Sequence, residues 1–271
     1  MPLMDTDHPM ASASAGKVVV VHSAKGGVGT TTVAVNIAAD INARGQRVCL
    51  VDLDLSCGDV ALMLRLEPRN SILDLLADDP DGEIAEPIDA LRTTVRPGFD
   101  CILAPARSTE VDALPGSVVI DLIGYLCGLY DIVVIDVPTT MSDHLRAAFT
   151  HADAIVLVTS ADVGALRGLT VGMDRATELG ARTPFVVLNH VRRGMGMQPS
   201  EIAAGIGVEI AVQIPRDAAV EQAGNRGEAL VSTDPDAPFS ASIERLVDRW
   251  CGPKQNPAKV RPLHRRRVLP L

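Results

Sequence analysis

Short, unbroken apolar runs alternate along this chain with longer segments whose apolar positions recur every three to four residues. The runs have strand length and are rich in Val, Ile and Leu: 17–21, 47–51, 100–103, 132–135, 154–159, 184–188 and 208–214. A strand covered on both faces reads as such a run rather than as an alternation. The intervening segments predict helices from the 26–32 region to about 42, closed by Arg44-Gly45, then at 115–129, 142–151 and 163–179. Shorter helices are predicted at 71–77, 200–204 and around 218–223, and a last one at 239–250. Strand–helix alternation of this kind predicts βαβ units with right-handed crossovers. The expected fold class is therefore α/β, a mostly parallel central sheet with helices on both faces.

Residues 16–251 contain no internal repeat and no linker-like stretch, so one domain is expected there. Residues 1–15 are small, polar and Pro-containing and read as a disordered leader. A turn-rich acidic loop is expected at 78–82. Apolar residues make up 47% of the chain but aromatics only 3%, so the core must be built from Val, Leu, Ile and Ala. The net charge is −9, which argues against a surface made for nucleic acid. Residues 252–271 hold Lys254, Lys259, Arg261, Arg265, Arg266 and Arg267 and no acid, so a Pro-rich tail of +6 follows a body of −15. The cysteines (Cys49, Cys57, Cys101, Cys127 and Cys251) form no CxxC pair and read as reduced core residues of a cytosolic protein. No apolar run reaches 18 residues, the length a membrane-crossing helix needs.

The first strand opens onto the chemistry. Val18–Val21 passes through His22-Ser23-Ala24 into Lys25-Gly26-Gly27-Val28-Gly29-Thr30-Thr31-Thr32 and then into a helix. Strand, Gly-rich loop and helix in that order make a phosphate-binding loop, in which backbone N–H groups and the helix N-terminus surround an anion. The ordinary pattern ends Gly-Lys-Ser/Thr. Here the Lys position holds Thr30, and a lysine stands at the start of the loop instead, Lys25. In an open parallel sheet, ligands bind beyond the C-terminal ends of the strands. The polar residues found there are Asp52 and Asp54, Asp136, Asn189 and Pro215-Arg216-Asp217. Asp136 ends an apolar strand, the position from which a carboxylate serves magnesium, with Thr31 as the second protein ligand. Of Asp52 and Asp54, one is placed to orient or deprotonate a water and the other to serve the metal's outer shell; loop capping is the plainer role for both. His22, His144, His151 and His190 share no metal-ligand spacing and read as structural or exposed. No GxSxG, HExxH or complete GxGxxG occurs.

The loop resembles the deviant Walker A loop of the MinD/ParA group of P-loop ATPases, whose mark is the extra early lysine. The resemblance extends to the CpaE/TadZ branch through the segment 51–64, Leu66-Glu67-Pro68, the segments 103–107 and 188–193, Ile214-Pro215-Arg216-Asp217 and the segment 223–227. It implies a P-loop architecture over roughly 16–250 that binds ATP with Mg2+. Two subunits would sandwich two ATP molecules, with Lys25 reaching the partner's phosphates, residues 26–32 holding phosphate, and Asn189, Pro215 and Asp217 placed at adenine. It also implies a localisation factor of Flp/Tad pilus or secretion machinery, recruited to the membrane's inner face or a cell pole, without the receiver-like domain that some members carry. Loss of the loop lysine costs positive charge in the transition state, about 3–4 kcal/mol on the oxyanion-hole scale, so hydrolysis is expected to be weak or absent. The alternative is a ParA-like segregation ATPase or a MinD-like septum-placement ATPase. The acidic body makes DNA binding the poorer match; the basic tail is read as solvated, with contact to anionic lipid as the other reading.

Overall fold

The computed structural model describes residues 16–76, 85–105, 114–192 and 194–254. The expected leader (1–15), the acidic loop at 78–82 and all but the first three residues of the basic tail lie outside the described residues. Eight strands form one sheet: β1 (Lys17–His22), β2 (Val48–Asp52), β3 (Thr93–Arg96), β4 (Phe99–Ile102), β5 (Ile132–Asp136), β6 (Ala154–Ser160), β7 (Phe185–Val191) and β8 (Ile210–Pro215). Their order is β3-β4-β2-β5-β1-β6-β7-β8. All pairings are parallel except β3 with β4.

The helices are α1 (Thr30–Ala43), α2 (Asp59–Met63), α3 (Ala85–Leu91), α4 (Gly116–Leu129), α5 (Asp143–Thr150), α6 (Val163–Glu178), α7 (Pro199–Ile206), α8 (Ala218–Arg226), α9 (Leu230–Thr233) and α10 (Pro238–Cys251). Alternate strand residues divide between two cores. Val19, Val21, Leu50 and Val134 face α1, α8, α9 and α10, while Val18, Val20, Val51 and Val133 face α4, α5, α6 and α7. Both faces are covered, which is why the strands read as unbroken apolar runs. Of the cysteines expected in the core, Cys49 and Cys101 lie there on buried strands, whereas Cys57 is exposed on the segment after β2 and Cys127 and Cys251 are half-buried on helices. Among the described residues no helix is long and apolar enough to cross a membrane.

Three features depart from the periodicity reading. The short helix expected at 71–77 is present at 72–76 but is of the tighter 3-10 type. An edge strand, β3, forms a hairpin with β4 through Pro97-Gly98, where Gly98 has φ 77°. Its Thr-Thr-Val-Arg composition is half-exposed, as an edge permits, and gives no apolar run. The helices α2, α3 and α9, of five, seven and four residues, are too short to show a period.

Helix α10 is clamped to α1 at the end of the sheet remote from the loop. Arg44 donates Nε to Asp40 at 2.7 Å and Nη1 to Asp248 at 2.7 Å and to the Gly252 carbonyl at 2.8 Å.

Candidate nucleotide-binding site

The loop after β1 leaves the central strand between β5 and β6, so it is surrounded by the C-terminal ends of its neighbours. Gly27 (φ 79°) and Gly29 (φ 91°) take the left-handed conformation that glycine adopts without strain. Space is also tight at Gly29: a Cβ there would lie 2.5 Å from Nδ2 of Asn189. That amide donates to the Val28 carbonyl at 2.8 Å, tying the end of β7 to the loop. At Gly26 a Cβ would meet nothing within 4 Å. No side chain caps α1 and no acid lies in its first turn, so its leading N–H groups face the loop unneutralised.

A cavity of about 330 Å³ opens in front of the loop, lined by Gly26, Gly27, Gly29, Thr30, Thr31 and Thr32 and, opposite them, by Asp54, Cys57, Asp59, Met63, Asp136, Val137 and Thr139. The Thr31 hydroxyl donates to Asp136, so the two expected magnesium ligands lie together. Asp136 is buried, and its pKa is pushed up to about 7, by burial first and by the charges of Asp54 and Asp59 as well; the Thr31 bond opposes this. Thr30, in the lysine position, lines the cavity with three carboxylates and, among the described residues, no cationic side chain.

Asp52 and Asp54 prove to be different kinds of residue. Asp52 is 1% exposed, and its oxygens accept the N–H groups of Asp54 (3.0 Å) and Val60 (3.3 Å). It pairs in register with Asp136, and burial first, then Asp136, raise its pKa well above the usual range. Asp52 is not among the residues lining the cavity; its contacts hold the 54–60 segment in place. Asp54 lines the cavity, and its Oδ1 accepts the Ser56 hydroxyl at 2.6 Å and the Ser56 and Cys57 N–H groups at 3.2 Å. The capping role is thus present in both.

Lys25 does not line the phosphate cavity. Its Nζ lies 2.6 Å from Asp162 Oδ1, on the residue that caps α6. The Lys25 and Ser160 hydrogen bonds hold Asp162 well below the usual carboxylate range.

A second cavity of about 490 Å³ adjoins the first at Thr32 and Met63. Leu62, Met63, Pro215, Val220 and Phe239 give it apolar walls, and Asn189, His190, Arg216 and Asp217 a polar rim. Asp217 also caps α8, accepting Ala219 N–H at 2.9 Å. His190 and Arg216 carried no expected role individually. His190 stands at a register shift in β7 with φ 56°, and burial and the Arg216 charge lower its pKa. A non-glycine residue in that conformation beside Asn189 is not legible in a sequence.

A doubly covered parallel sheet with a Gly-rich loop at its central strand, a Thr–Asp pair and an adjoining apolar cavity defines a P-loop nucleotide-binding protein. Residues 16–182 match a family model described as an AAA domain, and the chain belongs to that family, within the MinD/ParA superfamily of P-loop ATPases. It is 28% identical over 247 residues to the septum site-determining protein MinD of Bacillus subtilis, covering 88% of this chain and 90% of that one. It is 27% identical over 240 residues to the sporulation initiation inhibitor protein Soj of the same organism, covering 81% and 92%. The solved structure of MinD from Pyrococcus horikoshii, complexed with Mg-ADP, superposes with a TM-score of 0.74 at 23% identity, covering 86% of this chain and 95% of that one.

Proposed function

We propose that this chain is an ATP-binding switch that dimerises on Mg·ATP and hydrolyses it slowly. The observation that carries this reading is the phosphate cavity: loop, helix N-terminus and Thr31–Asp136 pair together, in which Thr30 stands where a lysine would be and no lining side chain among the described residues is cationic. The residues fit the nucleotide. Residues 26–32 offer N–H groups to phosphate, Thr31 and Asp136 hold magnesium, and the neighbouring cavity, with Asn189, Pro215 and Asp217, takes adenine. Magnesium bound to the phosphates supplies the positive charge that the walls lack, and it needs few protein ligands. Asp54, on the cavity wall, orients the water, and Asp52 keeps Asp54 in place.

Lys25 is held outside its own cavity by Asp162, which favours a role across a dimer interface. A homodimer completed by Lys25 of a second copy would restore part of the missing charge at each site.

For the cellular role, likeness to MinD and Soj over nearly the whole chain favours a positioning ATPase of the MinD/ParA kind. The resemblance of the segment 51–64 favours the CpaE/TadZ reading, localisation of pilus or secretion machinery. Titration with Mg·ATP, followed by light scattering, tests the biochemical reading. Absence of binding with magnesium present rejects it, and a mass indifferent to ATP rejects the dimer. A fluorescent fusion in the native cell separates septum, chromosome and pole.

A further inference from the structure

Helix α6 touches the phosphate loop at one end and the wall of its cavity toward the other. At its N-terminus Asp162 holds Lys25. Thirteen residues on, Arg175 donates Nη1 to the Thr139 carbonyl at 2.9 Å. Thr139 lies three residues past Asp136 and lines the phosphate cavity. At the other end of this segment, Val137 N–H donates to the Val21 carbonyl at 3.2 Å, so residues 137–139 hang between the first strand and α6.

The surroundings make Arg175 an unusual choice for a plain structural contact. It is partly buried, and among the described residues it forms no ion pair. Beside it is His22, the last residue of β1, fully buried with its ring edge-on to Phe149 at 5.3 Å. Burial first, then the Arg175 charge, bring the His22 pKa down to about 3, against the Pro138 backbone. The guanidinium is spent on a backbone carbonyl rather than on an acid. What it secures is the orientation of one peptide. Because that unit is planar and trans, holding the Thr139 carbonyl toward α6 also fixes the direction of the Thr140 N–H.

We propose that Arg175 is a positioning residue: by holding the Thr139–Thr140 peptide it presents the 137–139 segment to the terminal phosphate in one conformation, and α6 links that segment to Lys25. The inference rests on reading the site as one for a nucleoside triphosphate. Arg175 makes no hydrogen bond to residues 26–32, so its loss should spare a diphosphate and weaken a triphosphate.

The test compares Kd values for Mg·ATP and Mg·ADP in wild type, Arg175→Met and Arg175→Lys. Loss of about one hydrogen bond's worth of preference, roughly tenfold in the ATP:ADP ratio, is expected in R175M, with Mg·ADP affinity within about twofold. In R175M the His22 imidazole, followed by NMR, should also titrate at higher pH than in wild type. An unchanged ATP:ADP ratio, or equal loss for both nucleotides, overturns the proposal. R175K, which keeps the charge but not the planar fork, is read by the same ratio if R175M does not fold. A wild type that binds neither nucleotide sinks the nucleotide reading itself, a different outcome from these.

Discussion

Lys25 Nζ lies 2.6 Å from Asp162 Oδ1, so the lysine of the phosphate loop is paired within its own subunit. Both side chains are about half exposed, at 41% and 53%. Such a pair is worth less than about 1 kcal/mol, which makes it easy to exchange for another partner. Asp162→Asn should therefore shift melting by no more than about 3 °C. If Lys25 acts across a dimer, the same change should lower the ATP concentration for half-maximal dimer formation in light scattering. An unmoved midpoint would leave the ion pair without a part in assembly.

Two buried groups give the pH dependence opposite signs. Asp136 titrates near 7 in the fold against an ordinary 3.8, so the folded state holds the extra proton between these values. The stability it contributes is present in acid and is lost as pH rises through about 7. Asp136→Asn should then stabilise the nucleotide-free protein at pH 8 by about 1–4 kcal/mol, and should abolish stabilisation by Mg·ATP. Calorimetry at pH 8 with and without Mg·ATP checks both; a variant less stable than wild type without nucleotide would contradict the assignment.

His22 works the other way. Its folded pKa of about 3 lies below the ordinary 6.5, so its contribution is whole above pH 6.5 and is lost as pH falls toward 3. His22→Phe should flatten the acid limb of the stability curve between those values, by up to about 5 kcal/mol at the acid end. A limb of unchanged slope would mean that other groups set it.

Two glycines of one loop should respond differently to the same substitution. Gly29→Ala adds a Cβ 2.5 Å from the buried Asn189 amide at φ 91°, and should cost about 2 kcal/mol or more along with nucleotide binding. Gly26→Ala meets nothing within 4 Å and should leave melting within about 2 °C. Equal melting of the two variants would mean that the loop relaxes around Gly29.

Thr30 stands beside Asp54, Asp59 and Asp136. Thr30→Lys should raise single-turnover ATP hydrolysis, by up to about 10²–10³ if the missing charge is the limitation. A rate no higher than wild type would place the limitation at Asp54 or at dimer assembly.

Much of this molecule is local and therefore visible in its sequence. An apolar run followed by glycine and threonine, or by aspartate, announces both a buried strand and the residue at its end. The strands, the 26–32 loop, Asp136, Asn189 and Asp217 could thus be placed at one edge of a parallel sheet before any coordinates. The helices α2, α3 and α9 and the edge strand β3 escaped, because so few residues, or a polar edge, give too little pattern to read. What only the tertiary structure decided are relations across the chain. Lys25 is claimed by Asp162, 137 positions away, and Asn189 locks Val28 across 161. Asp52, like Asp54 a carboxylate at a strand end, sits behind the cavity while Asp54 faces it. Arg175 reaches Thr139 from a helix that a periodicity reading treats as a simple amphipath. The physical reason is the strand order: inserting β1 between β5 and β6, with β7 next, brings residues from the ends of these three neighbouring strands against one loop, and neither spacing nor composition encodes that proximity.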